Sequence, residues 1–357
     1  MLNRRTTFLI LFLFTLPMYN FSAYAQELKL PEAPIFIDQQ SFETRYIMKG
    51  GNILVPALFL KHTGVRVDWN KSFRSVVFRY KDRQIALPVG KSYFDDYGSA
   101  TGVWRRLPLS TKTIQFDGET FVPLIDVVKK LGMQVSYEGE RTFITTNIDS
   151  PKGAIYKGDS TKKQVALTFD DGPDDYYTPQ ILEILKEKAV PATFFVVGKE
   201  AEAFPYMTRK IVNDGHGIAN HTWGHPVLPQ VTTSELVEEI QSTQQVLLET
   251  VGRVPDLIRP PYGAVTKSDL LVLNEMGLRV IKWSVDTIDW SGQSGDEILN
   301  IVRREISPGG IILQHNFQTD ERLLDGTIEA LPIIIDELQG RGYQFVTVQT
   351  LLENQEN

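Results

Sequence analysis

Seven short apolar runs punctuate the second half of this chain, at residues 165–169, 193–197, 217–220, 257–259, 279–284, 311–315 and 344–347, with helix-length stretches between them. Runs of three to six residues bounded by turn signals read as buried strands. Strands that alternate with helices lie parallel, because each helix carries the chain back across the sheet. The pattern predicts an α/β fold, a distorted (β/α) barrel of about seven parallel strands, with an open doubly wound sheet as the alternative. Helix starts are marked too. Thr178-Pro179 reads as an N-cap and a proline at the first helical position. Thr232-Thr233-Ser234-Glu235 opens a helix expected to reach about Thr250, and a third helix is expected around Asp325 to Leu338.

The polar residues are not scattered over this frame. Asp170 and Asp171 follow the first run, in Thr168-Phe169-Asp170-Asp171-Gly172-Pro173, where the Gly-Pro pair is expected to break the strand. His221-Thr222-Trp223-Gly224-His225 follows the third run and Arg259-Pro260-Pro261-Tyr262-Gly263 the fourth. Asp286-Thr287-Ile288-Asp289-Trp290 follows the fifth, and His315 ends the sixth in Leu313-Gln314-His315. All five clusters sit at C-terminal strand ends, the active-site face of barrels and the ligand crevice of open sheets.

Each cluster has a plain structural reading beside the chemical one. Adjacent carboxylates resist joint ionisation unless a cation lies between them or one shares a proton; alone, Asp-Asp-Gly is more often an acidic turn. His221 and His225 stand four apart, which can put both imidazoles on one side of a helical turn; two histidines with one aspartate suit zinc with a position left for water. A metalloprotease helix would carry glutamate after the first histidine. Thr222 stands there, so a base must come from elsewhere, and the spare carboxylate of the Asp pair can supply it. Arg259 is either a structural ion-pair partner or the group that keeps that base ionised. Asp289 is either a helix-start residue or the orienter of His315, a candidate general acid. Trp290 is either core or one wall of a sugar site, with Pro261, Tyr262 and Leu313 as further wall candidates. His216 lies in a Gly-flanked turn and is left out of the site.

The residues before 149 follow another grammar. Asn52-Ile53-Leu54-Val55-Pro56 leads through Ala57–His62 to Gly64-Val65-Arg66-Val67-Asp68-Trp69, and Glu119-Thr120-Phe121-Val122-Pro123 leads through Leu124–Leu131 to Gly132-Met133-Gln134-Val135-Ser136-Tyr137. In both copies Val-Pro opens a short helix, glycine stops it and a strand follows. A smaller α+β domain with an internal repeat is expected here. Tyr93, Phe94, Tyr97 and Trp104 are either core or sugar-stacking residues, with core the commoner role.

Arg4 and Arg5, the apolar run Phe8–Leu16 and Ala23-Tyr24-Ala25 have the form of a cleaved export signal, with Gln26 as the expected mature start. The expected organisation is 1–25 signal peptide, 26–148 N-terminal domain, 149–162 linker and 163–357 catalytic domain. With 357 residues and no cysteine, disulfides are excluded and a lipid anchor is not expected. A net charge of −7 argues against nucleic acid as a partner. No protein partner is legible.

The five ordered clusters resemble the motifs of the polysaccharide deacetylases, carbohydrate esterase family 4, over roughly residues 163 to 350. The region 34–147 resembles the copper amine oxidase-like N-terminal domain; its single histidine and lack of cysteine give no reason to expect copper. The resemblance implies a distorted barrel and removal of acetate from N-acetylated sugars. By it, Asp170 is the catalytic base, and Asp171, His221 and His225 hold one divalent metal ion, with zinc expected and cobalt, nickel or manganese as alternatives. Arg259 positions the base, and the Tyr262 backbone N–H binds the oxyanion. Asp289 partners the general acid His315, and Trp290 walls the groove. The expected substrate is cell-wall peptidoglycan N-acetylglucosamine, met by a secreted or wall-associated protein. Chitooligosaccharide, an exopolysaccharide, or a non-catalytic wall-binding role are the alternatives.

Overall fold

A computed structural model describes residues 29–317 and 322–353; the expected signal peptide lies outside the described residues. In the N-terminal domain three antiparallel-rich sheets enclose one core built on Val55, Leu60, Phe78, Phe94, Val122, Val127 and Val128. The two repeat copies pair with each other: Asn52–Pro56 runs antiparallel to Glu119–Pro123, with Val55 opposite Val122. The short helices differ, since Ala57–Thr63 is a 3₁₀ helix ended by left-handed Gly64, whereas Leu124–Lys130 is α-helical. Of the four aromatic candidates, Phe94 is core, Tyr97 and Trp104 form a cross-strand pair, and Tyr93 is capped by the Arg106 guanidinium 3.9 Å from its ring.

The second domain is the expected distorted barrel, with one parallel sheet wrapped inside a ring of helices. Around the sheet the strands run in the order Arg279–Val280, Leu257–Ile258, Gly217–Asn220, Thr193–Val196, Gln164–Asp171, Gly310–His315 and Val285–Asp286. Gln344–Phe345 is an eighth strand, paired with the start of Gln164–Asp171. The run expected as one strand at 279–284 is strand only over Arg279–Val280, at one edge of the sheet; the strand at the other edge, Val285–Asp286, begins just past it. The segment between them crosses the gap, and the expected linker joins it there: Ile155 pairs with Ile281, and Lys157 with Gly310. Residues 155 and 157 are thus part of the barrel wall, because an apolar side chain and two backbone groups complete an otherwise open edge.

Side chains alternate along the strands. Leu167, Phe169, Phe194, Val196 and Ile312 face the helices, while Ala166, Phe195, Ala219, Leu257 and Ile311 fill the barrel. Continuing the inward parity to the strand ends brings Asp170, Arg259, Leu313 and His315 to the mouth. Register places Asp170 directly beside His315 on the neighbouring strand. The helix expected from Thr232 spans Thr233–Val251 behind a full capping box, in which Thr232 accepts from the Glu235 N–H and the Glu235 carboxylate accepts in return. Thr178 is not an N-cap: the helix begins at Tyr177, and the Thr178 hydroxyl accepts from the Asp174 N–H instead.

Candidate active site

Asp170 and Asp171 diverge because the strand continues through both and then turns at Asp171, whose φ is +78°. The turn therefore begins one residue before the expected Gly-Pro break. Gly172 follows because the Asn316 side chain fills the space a Cβ would need. Asp170, 3% exposed, keeps its inward position. Its Oδ1 accepts a 2.6 Å bond from Arg259 Nη1, which also donates to the Thr168 hydroxyl. Arg259 is wholly buried, donates to the Lys282 carbonyl, and lies 4.1 Å over the Phe195 ring. Burial pushes its pKa down while Asp170 and Asp286 oppose this; an arginine so paired stays charged and fixes the place of the Asp170 carboxyl group.

The segment His221–His225 forms no helix, so the two imidazoles do not share a helical face. Thr222 and His225 have φ of +68° and +59°. The turn is held from a distance. The Glu239 carboxylate accepts from the Trp223 and Gly224 N–H groups at 2.9 and 2.7 Å, and Asn220 Oδ1 accepts from the Thr222 N–H. The Thr222 hydroxyl in turn accepts from the His225 N–H. Glu239 and Asn220 were not singled out in the sequence: one is among several glutamates of a long helix and the other an ordinary strand-end asparagine.

His221 Nδ1 donates to the Arg259 carbonyl at 2.6 Å, a contact only an N–H can make, and this turns Nε2 toward Asp171. Asp171 Oδ1 lies 3.3 Å from that Nε2 and 3.2 Å from His225 Nε2, and the three ligand atoms fall within 4.8 Å of one another. Asp171 Oδ1 is buried and has no hydrogen-bond partner among the described residues. Burial pushes the Asp171 carboxyl up, but the two imidazoles outweigh this and hold it well below the usual range. A buried carboxylate oxygen set beside the Nε2 atoms of two imidazoles is the donor set a divalent cation fits.

On the strand beside Asp170, His315 Nδ1 donates to Asp289 Oδ1 at 2.7 Å, and the His315 N–H donates to Oδ2. The Thr327 hydroxyl donates to the same Oδ2, a contact no motif marked. Burial pulls the imidazole down; Asp289, with Asp171 and Asp170 behind it, wins and the pKa is pushed up to about 9. Its Nε2 is thereby a proton donor at neutral pH. Tyr262, left-handed at φ +58° and exposed, sets its ring 4.8 Å from that of His225. Trp290 is half exposed on the opposite side, whereas Pro261 and Leu313 are buried, so the exposed aromatic walls are Tyr262 and Trp290. His216 is remote, at the opposite end of its strand, where Nδ1 accepts from the Ala192 N–H.

The signature of the polysaccharide deacetylase family matches residues 157–281, and that of the copper amine oxidase N-terminal domain matches residues 36–146. A peptidoglycan-N-acetylglucosamine deacetylase of Bacillus cereus is 43% identical over 198 residues, 56% of this chain and 71% of that protein. The chain belongs to the polysaccharide deacetylases. Its likeness to other members is similar in kind. The Listeria monocytogenes peptidoglycan-N-acetylglucosamine deacetylase is 37% identical over 54% of this chain, which spans only 39% of that longer protein. A Bradyrhizobium chitooligosaccharide deacetylase is 36% identical over 52% of this chain and 89% of its own length. The crystal structure of a peptidoglycan N-acetylglucosamine deacetylase superposes with a TM-score of 0.54 at 42% identity, over 56% of this chain and 92% of the other. Family 4 esterases are metal-dependent, in line with the Asp171–His221–His225 donor set.

Proposed function

We propose that this polysaccharide deacetylase removes acetyl groups from N-acetylglucosamine of peptidoglycan. The observation that carries the reading is the convergence, at one barrel mouth, of an arginine-held carboxylate, a three-ligand cation site beside it and a protonated imidazole on the neighbouring strand. Asp171, His221 and His225 hold the cation; zinc suits two imidazoles, a carboxylate and an open position, with cobalt, nickel and manganese as competitors. When bound, the cation lowers the pKa of a water and polarises the acetamide carbonyl. Asp170, held in place by Arg259, takes the proton of the attacking water. The Tyr262 backbone N–H faces the oxyanion that develops on the carbonyl carbon's oxygen. His315, oriented by Asp289, gives its Nε2 proton to the departing nitrogen as the C–N bond breaks. Acetate and a free amine on the glycan result. Trp290 and Tyr262 offer apolar faces to the sugar rings.

The substrate reading rests on the Bacillus and Listeria relatives and on the extra N-terminal domain. The Bradyrhizobium relative supports a second reading, a chitooligosaccharide as substrate. The basic start, apolar run and Ala23-Tyr24-Ala25 support export and a place in or near the wall; N-terminal sequencing of the exported protein checks this and is expected to begin at Gln26. Acetate release from purified peptidoglycan and from chitopentaose, with and without chelator, tests the function. Release from peptidoglycan that chelator abolishes is expected. Release from chitopentaose alone transfers the assignment to chitooligosaccharides, and wall binding with no acetate from either glycan points to a non-catalytic role.

A further inference from the structure

Lys61 belongs to the N-terminal domain and is 0% exposed. Its ammonium leaves that domain altogether. It donates to the carbonyls of Leu228 and Val231 at 2.6 and 2.7 Å, and pairs with Asp269 Oδ1 at 2.7 Å. All three partners belong to the barrel. Leu228 and Val231 lie on the seven-residue segment 226–232 that runs from His225 to the capping box of the helix Thr233–Val251. The far end of the segment is held by the same domain. Val67 N–H donates to the Thr233 hydroxyl, and the Asp68 carboxylate accepts from the Ser234 N–H at 2.8 Å.

The internal repeat shows that a lysine here is a departure. Counting from each Val-Pro, Lys61 corresponds to Val128, a fully buried core residue of the second copy. An apolar residue satisfies the repeat's own core, whereas a buried ammonium is costly and persists only where partners compensate it. Its compensation is complete here: one carboxylate and two carbonyls take the three N–H donors.

We propose that Lys61 is a positioning residue for the cation site, reaching out of the N-terminal domain to fix the segment that aims His225. This rests on the reading of Asp171, His221 and His225 as the cation ligands. The N-terminal domain is then part of the catalytic unit as well as any wall anchor. The mechanical reason is that His225 sits in a left-handed turn ended by Pro226, and nothing helical carries it. Its backbone N–H is held on the near side by Thr222, and the chain beyond it is held by Lys61.

The test is calorimetric titration of zinc into metal-free full-length protein, with melting temperature measured alongside. Lys61→Met/Asp269→Asn removes both charges of the buried pair, so no uncompensated charge remains and the fold is retained. It is expected to weaken zinc binding about tenfold, as loss of outer supports of metal ligands does. The control is Arg66→Ala/Lys267→Ala, which removes two other interdomain pairs, with Glu275 and Asp38, that do not touch segment 226–232. It is expected to lower the melting temperature while leaving zinc affinity within about twofold of wild type. Wild-type zinc affinity in the Lys61 double variant overturns the proposal, and so does an equal loss in the control, which would mean general docking. Absence of zinc binding by the wild type would fail the ligand reading instead, and is seen first. Hydrogen exchange on the wild type gives a check that no variant can spoil. The hydrogen-bonded amides of Gln230, Val231 and Thr232 are expected to be protected as strongly as strand Arg66–Asn70, and free exchange at all three overturns the proposal.

Discussion

Two cations are completely buried among the described residues, and they sit in different regions for different ends. Arg259 lies under the barrel mouth, its guanidinium spread over the Phe195 ring and shared among Asp170, Thr168 and the Lys282 carbonyl. Lys61 lies at the domain junction, its point charge shared among Asp269 and two carbonyls of one loop. The planar fork fixes the position of a carboxyl group. The compact ammonium gathers groups from several directions. One cation touches the proposed base directly, and the other touches the backbone of the loop that follows His225. The comparison teaches that the site has two supports, one inside the barrel and one borrowed from the neighbouring domain.

Variants can break or sharpen this contrast. The largest effect is expected from Arg259→Met, which leaves Asp170 buried without its counter-charge. Stability should fall by ~3–5 kcal/mol in chemical denaturation, and acetate release by about 10³-fold in kcat, within the range for losing a general base. A variant with native turnover would show that Asp170 needs no holder. Next is His315→Ala, expected to lower kcat by roughly 10²–10⁴-fold with little change in bound metal, read by acetate release and metal content.

Asp289→Asn separates orientation from charge. His315 gains its proton affinity chiefly from Asp289, so its protonated form is the catalytic one below a pKa of about 9 and is lost above it. The same sign governs stability: the raised pKa contributes below the ordinary histidine value and fades as pH rises through about 9. The kcat–pH profile of Asp289→Asn should therefore lose its alkaline limb at lower pH than wild type. An unmoved limb would remove Asp289 from the role. Glu239→Gln keeps an acceptor oxygen but loses the charge that collects two N–H groups. A severalfold weaker metal affinity is expected by calorimetry. The smallest effect is expected from Trp290→Ala, a few-fold rise in KM on peptidoglycan with kcat nearly kept.

The division between what the sequence shows and what it hides follows the same contrast. Asp170, Asp171, Arg259 and His315 stand directly at the ends of apolar runs, so strand periodicity alone puts them on one face. His221 and His225 were legible as a pair but not as a turn, because the turn is imposed by Glu239, far along the chain on a helix. The early end of the strand expected over 279–284, and the second edge strand at 285–286, were hidden because no turn residue marks the break and only the circumference of the sheet decides it. Lys61 was hidden most thoroughly. A lysine four residues into a short helix reads as solvent-facing, and only the packing of a second domain over it reveals the partners.

The central claim is that one carboxylate of the Asp170–Asp171 pair is the base while its neighbour holds the cation. Metal content per chain, measured together with acetate release on Asp170→Asn and His221→Ala, tests it most directly. About one divalent ion per chain with turnover abolished in Asp170→Asn, and neither ion nor turnover in His221→Ala, is the predicted result. An Asp170→Asn protein that has lost its ion, or a His221→Ala protein that keeps one, would contradict it.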